Sequence, residues 1–488
     1  MIFSSTIFVF GFLPFVAVIY YLLKPLPVIW RNVWLFFSSL FFYAWGEPSF
    51  VVIMLLSIAA NYGFGILIQK SEAAQKRKLF LIFMLVFNIG LLFVFKYLNF
   101  TLSVLNRITH DRLPQTAIAL PIGISFFTFQ AISYVVDVYR KKSSAQVNPL
   151  NVGLYIAFFP QLVAGPIVRY ESIAAQIKQR EESISLFAGG IERFLRGFCK
   201  KVLLSNTLAV IADEAFFQIS YGYAIGASFA WLGAISYTLQ IFFDFSGYSD
   251  MAIGLGKMFG FTFEENFNYP YIAKSVTDFW HRWHISLSTW FRDYVYIPLG
   301  GSRVSSKGRH IFNLFVVWLL TGIWHGANWN FLIWGLFYFC LLVFEKLTGL
   351  PDRLKSRLGK GVYRAGTLLA VMIGWVLFRA DSMSAAVSYI RSLFMLNHNG
   401  FADSQAIYFW HENRVYLTAA LLLSMPVFTW IRNRVKKWGK DRSADGMGRR
   451  FMRGAVYVGK PVLYIALFLF ALSFLIIDAY NPFIYFNF

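Results

Sequence analysis

Two short histidine motifs hold the residues of this sequence best suited to chemistry. His325 sits in Trp324-His325-Gly326-Ala327-Asn328-Trp329, between two strongly apolar segments. An imidazole in such surroundings must find partners or line a wet cavity. It is also the side chain whose ordinary pKa suits proton transfer near neutrality. A histidine hydrogen-bonded to a neighbouring helix as polar glue is the competing reading. Gly326 and Ala327 tilt the balance toward a base, because small neighbours leave room for another group to approach. The second motif is Asp278-Phe279-Trp280-His281-Arg282-Trp283-His284, where a spacing of three predicts both histidines on one helical face.

Other chemistries fit less well. Helical zinc sites commonly use two histidines four apart with a neighbouring Glu and a third ligand. Here neither Glu nor thiol is nearby and Arg282 lies between the pair, so no metal is expected. Gly254, Gly256 and Gly260 have the wrong spacing for a dinucleotide fingerprint and read as small residues in close helix packing. Ser246 lacks the first glycine of a nucleophile elbow. Cys199 and Cys340 are far apart and form neither a disulfide framework nor a ligand set. His110, His398 and His411 fall in expected external loops and His310 in a basic turn, all read as solvated.

The elements that must position these motifs are membrane helices. Of 488 residues, 58% are hydrophobic and 14% charged, against about a quarter charged in soluble chains. Fifty-five Phe and fifteen Trp agree, since aromatic rings are enriched at membrane boundaries. Apolar runs at 6–23, 30–45, 49–69, 79–98, 117–137, 186–217, 225–245, 311–347, 365–379, 414–433 and 455–478 predict an all-α bundle of roughly 10–12 crossings. The first run has no basic residue before it and reads as a retained span rather than a cleaved leader. Segment 150–168, with Pro160, Gly165 and Pro166, reads as re-entrant, and 384–396 as interfacial.

The net charge of +21 lies between apolar segments, which indicates membrane topology rather than nucleic-acid binding. Basic clusters at 76–78, 140–142, 353–364 and 432–453 are expected on the cytosolic face, where they also attract lipid headgroups or an anionic donor. Loop 397–413 carries no Lys or Arg and is expected outside. Alternation from these anchors places both termini outside. The whole chain reads as a single membrane domain: N-terminal spans 1–145, a central region 146–348 with both histidine motifs, and C-terminal spans 349–488. A block from Asp244 to about His310 is too broken by Gly and Pro for a simple span. Its charges, Asp278 and Arg292 among them, suit a partly inserted floor of a cavity.

The stretches DFSGYSDMAIGLGKMFGF from Asp244, NFNYPYIAKSVTDFWHRWHISLSTWFRDYVYIPLGG from Asn266 and LTGIWHGANWNFLIWG from Leu320 resemble the membrane-bound O-acyltransferase family. FFPQLVAGPIVR from Phe158 and NPFIYFNF from Asn481 are similar to its bacterial branch concerned with alginate O-acetylation. The resemblance covers nearly the whole chain. It implies a helical bundle in the bacterial cytoplasmic membrane, with a central tunnel that donor enters from the cytosol and acceptor from the opposite face. It further implies His325 as general base and His284 as proton relay or orienting group. Trp324 or Asn328 would serve the oxyanion, and Asp278 is a further substrate-binding candidate. That branch often has Arg where this chain has His281, which argues against an essential role for His281.

The implied activity is acetyl transfer from acetyl-CoA, or from an acyl carrier protein, for O-acetylation of an exported polysaccharide. Alginate is the first choice of acceptor, reached through a periplasmic acetylase partner, and no cofactor is tightly bound. Peptidoglycan O-acetylation and D-alanyl transfer to teichoic acid are alternatives within the family. A transporter or flippase fits intramembrane charge equally well on physics alone, but no inverted repeat is evident.

Overall fold

Backbone polar groups in an apolar bundle are satisfied most simply within helices, and the chain takes that solution. The computed structural model describes all residues except 111, 164, 428, 432, 435–458, 478, 479, 483 and 485–488. All but two residues of the basic run 432–453, and most of the closing motif, therefore lie outside the described residues.

Among the described residues six helices are long and apolar enough to cross a membrane: Pro48–Lys70, Ala74–Thr109, Ile184–Ser220, Trp329–Thr348, Arg357–Arg379 and Lys460–Ile477. Three shorter apolar helices, Ile7–Leu22, Val28–Ala44 and Ile124–Tyr139, join them. Their outward faces carry exposed Phe15, Leu22, Val86 and Ile89, the surface expected of a lipid-facing bundle. The protein is thus an all-α, multi-pass membrane protein. Segment 150–168 forms two short buried helices, Pro149–Ala157 and Phe159–Leu162, broken beside Pro160. The stretch at 384–396 is one short helix, Met383–Leu393.

The central block corrects one expectation. Its first fifteen residues are not broken structure but the second half of a single helix, Ala227–Met258, 32 residues long and almost wholly buried. Gly254 is the close-packing residue expected of it, and Gly247 serves in the same way. A Cβ on Gly254 would meet the Gly190 carbonyl oxygen at 2.6 Å, and one on Gly247 would meet that of Gly197 at 2.9 Å. Two glycine pairs thus let this helix lie backbone to backbone on Ile184–Cys199. Gly256 instead packs against Phe263, and Gly260 takes a left-handed φ of 79° just past the helix end. The first half of the long helix belongs to one apolar core and the second half to another. Trp324 lies in the second-half core and Trp334 in the first-half core, so His325 sits where the two meet.

The chain ends are fastened to this helix. Asp244 and Lys201 form a buried ion pair at 2.6 Å. The Ile484 amide donates to the other Asp244 carboxylate oxygen at 3.0 Å, and Lys201 donates to the Pro482 carbonyl. Asn481 bonds Ser4 at 3.0 Å, so the two terminal segments meet.

Gly254→Ala should lower the thermal midpoint in detergent, with a loss of about 1–3 kcal/mol from overpacking. Gly189→Ala, on the facing helix Ile184–Cys199 where a Cβ meets nothing within 4 Å, should leave the midpoint unchanged or raise it.

Candidate active site

The helix Lys307–His325 stops at the histidine itself because Gly326 continues as extended backbone. Asn328 then starts the next helix, its side-chain oxygen accepting from the Asn330 amide at 3.2 Å. The two helices double back closely: a Cβ on Gly322 would meet the Phe331 carbonyl at 2.6 Å, and one on Gly335 that of Trp318 at 2.5 Å. This crossing carries His325 into the bundle, where it is buried. Its ring stands edge-on among Trp324, Trp334 and Phe378, with centroids 4.9, 4.9 and 5.1 Å away. Among the described residues none hydrogen-bonds its ring nitrogens, and the ring borders a cavity on either side.

The second motif does not form the single helical face that its spacing predicts. A first helix, Val276–Trp280, ends before His281, and His284 adopts a left-handed φ of 45° before the helix Ile285–Phe291. That turn separates the pair: His281 is exposed and His284 is buried. Asn266, itself buried, holds the turn. Its backbone carbonyl accepts from the Ile285 amide at 2.9 Å, and its side-chain oxygen from the Ser286 amide at 3.1 Å and hydroxyl at 2.9 Å. The same oxygen lies 3.2 Å from His284 Nδ1. A backbone N–H can only donate, so that atom is the amide oxygen and the facing Nδ1 carries the proton. His284 Nε2 is then its acceptor nitrogen. Sequence reading missed Asn266, although it opens one of the motifs that carry the resemblance.

Three cavities surround the histidines. A small one of about 20 Å³, room for roughly one water, is lined by both His284 and His325, with Phe245, Trp283, Trp334 and Trp375 around them. A second, of about 100 Å³, is lined by His325, Trp324, Ser125, Gly123, Pro121 and Lys96. The third, of about 760 Å³, is lined by His281, Arg292, His310 and Lys346, with Glu345 and Asp352, beside apolar walls. Trp280 and Trp318 form part of that wall, and Trp280 packs on Trp334 at 5.7 Å, so indoles stand between the large cavity and His325. His310 is not simply solvated: it borders this cavity and bonds the Tyr296 hydroxyl at 2.8 Å. His411 lies on the helix Ser404–Leu423 rather than in a loop.

The remaining candidates separate. Trp324 lines the cavity beside His325, and its buried indole N–H has no hydrogen-bond partner among the described residues, leaving a donor available. Asn328 is exposed and spends its side-chain oxygen on a helix cap. Asp278 lines none of the three cavities, its carboxylate engaged by Arg282 at 2.8 Å and the Lys274 amide at 2.9 Å. Partial burial works to raise its pKa, but the Lys274 amide and the Arg282 guanidinium hold it below the usual carboxylate range.

Such a structure defines a multi-pass membrane protein that keeps its polar chemistry inside the bundle, with two buried histidines on one small cavity. The profile of MBOAT, the membrane-bound O-acyltransferase family, matches residues 37–350; the chain belongs to that family and is an acyltransferase. Among its relatives, the probable alginate O-acetylase AlgI of Pseudomonas aeruginosa is 43% identical, over 81% of this chain and 75% of that protein. The protein of the same name from Pseudomonas putida is 38% identical over the full length of both. The peptidoglycan O-acetyltransferase of Helicobacter pylori is 34% identical, over 81% of this chain and 80% of that one.

Asn266→Ala should remove a buried hydrogen-bond partner from each of His284, Ser286 and Ser249, at about 1–3 kcal/mol for each group left unsatisfied. Lower thermal stability and lower acyl transfer in purified protein are both expected. Asn328→Ala should cost about 1 kcal/mol of helix capping and leave turnover near wild type.

Proposed function

We propose that this enzyme moves an acetyl group from cytosolic acetyl-CoA across the bacterial cytoplasmic membrane for O-acetylation of an exported polysaccharide. An alginate-like polymer is the first choice, with a periplasmic acetylase receiving the group. The observation that carries the reading is that His325 lines two cavities at once. One of them adjoins residues 120–126, next to a loop expected outside. The large cavity reaches Pro351 and Asp352, next to the basic run 353–364 expected in the cytosol. Arg140, from another basic cluster, donates to the Asp293 carbonyl at 2.9 Å, which ties that cluster to the cavity's own segment. Both termini are read as external on the same charge argument.

In the proposed reaction an acceptor hydroxyl attacks the thioester carbonyl carbon while His325 takes the hydroxyl proton. The carbon–sulfur bond breaks, and the coenzyme A thiolate takes up the proton that His325 has accepted. His284, fixed as the Nδ1–H tautomer, presents Nε2 as an acceptor and relays that proton. The indole N–H of Trp324, without a partner among the described residues, is the donor for the developing oxyanion. Arg292, His281, His310 and Lys346 suit the phosphates of the donor. The similarity to the Helicobacter pylori protein keeps a peptidoglycan acceptor as the second reading.

His325→Ala should reduce acetyl transfer by about 100- to 10,000-fold in protein that still inserts and folds. Full polymer acetylation by this variant would refute the assignment. The donor is tested by offering purified protein acetyl-CoA or a D-alanyl carrier protein and following release of free coenzyme A. Passage of intact donor without that release would favour a transporter. Replacing Arg292 and Lys346 together by Ala should raise KM for acetyl-CoA about tenfold with little change in kcat, the pattern of a lost ground-state contact.

A further inference from the structure

The histidine helix ends on carbonyls that need partners, and two adjacent residues of another span supply them. A helix leaves its last four carbonyls without intrahelical partners. Near this end the Ile323 carbonyl accepts from the Tyr97 hydroxyl at 2.9 Å, and the Trp324 carbonyl from Lys96 Nζ at 2.6 Å. The two donors sit in Phe93–Tyr97, a π-helical turn in the middle of the long Ala74–Thr109 helix. There the Leu98 amide reaches back five residues to the Phe93 carbonyl. Such widened turns are rare and occur frequently at functional sites. Lys96 Nζ also lies 3.3 Å from the Ser125 hydroxyl and 5.9 Å from the centre of the Trp324 ring.

Among the described residues no carboxylate pairs with Lys96, although it lies inside an apolar span. Packing alone would be better served there by leucine, and a lone cation in a membrane span is costly. Its charge faces the negative end of the histidine helix, where a cation is favourable. It also borders the same cavity as His325.

We propose that Lys96 and Tyr97 are positioning residues for His325: their bonds to two successive carbonyls fix the last turn of its helix and so the direction of its imidazole. This rests on the reading of His325 as the base. Two such bonds set both the depth and the rotation of the helix end, which a single cap could not. Misplacing a reacting group by about 1 Å can cost on the order of 100-fold in rate.

The test uses full-length protein in proteoliposomes with acetyl-CoA as donor, reading kcat, KM and the thermal midpoint for Lys96→Met, Lys96→Arg, Tyr97→Phe and His325→Ala. Lys96→Met should lower kcat about 10- to 100-fold with KM for the donor within about twofold. Tyr97→Phe should lower kcat about 2- to 10-fold, the effect of one neutral hydrogen bond. Lys96→Arg keeps the charged donor and should recover most of the Met variant's loss. If Lys96→Met does not fold, Lys96→Arg and Tyr97→Phe decide: kcat lowered at unchanged KM supports the pair. Wild-type kcat in the Lys96 and Tyr97 variants beside an inactive His325→Ala overturns the positioning role. So does a raised KM at unchanged kcat, or an Arg variant no better than the Met variant. Full activity of His325→Ala would instead overturn the base assignment itself.

Discussion

Stopping a helix inside an apolar bundle leaves carbonyls that water cannot satisfy, and the site is arranged around that one helix end. Gly326 breaks the Lys307–His325 helix in extended backbone, which leaves the histidine at its tip instead of along its side. Lys96 and Tyr97 occupy two of the exposed carbonyls from a neighbouring span. Asn328 restarts the chain as a helix, and Gly322 and Gly335 let the two helices close on each other. Of these contacts, the bonds from Lys96 and Tyr97 are the ones proposed to fix the direction of His325.

The second histidine depends on the same rule applied to a turn. His284 is reached through a left-handed backbone conformation uncommon for a side chain of its kind, so the surroundings must hold it there. Asn266 does so through one side-chain oxygen and one backbone carbonyl. Behind it, Asp244 and Lys201 tie the C-terminal residues Pro482 and Ile484 to the long central helix, and Ile484 borders the cavity shared by both histidines. The ends of the chain therefore help to close the site that its middle builds.

Around these polar points the walls are aromatic. Trp280, Trp318 and Trp334 stand between the large cavity and His325, at 4.8 to 6.2 Å between ring centres. Indoles and phenyl rings keep water scarce near the histidine while offering N–H donors at their edges. Such a partition suits acyl transfer, in which the acyl group must meet its acceptor and not water.

Much of this protein could be read from its sequence. Long apolar runs have one way to satisfy their backbone in lipid, so the all-helical bundle and nearly every helix followed from composition and length. The His325 motif stood out for the same reason: a polar ring flanked by small residues between apolar segments is costly unless used. Only the tertiary structure decided the rest. Spacing placed His281 and His284 together, but a left-handed turn held by Asn266, 18 residues away, parts them. Gly254 was legible as a small residue for close helix packing, but the Gly190 it meets, and the Gly197 that Gly247 meets in the same way, lie on another helix. Lys96 passed as one charge in an apolar run, since its partner is a backbone carbonyl 228 residues away. Periodicity records what a residue needs from its near neighbours; contacts between distant carbonyls and side chains leave no such trace, and these are what orient the histidines.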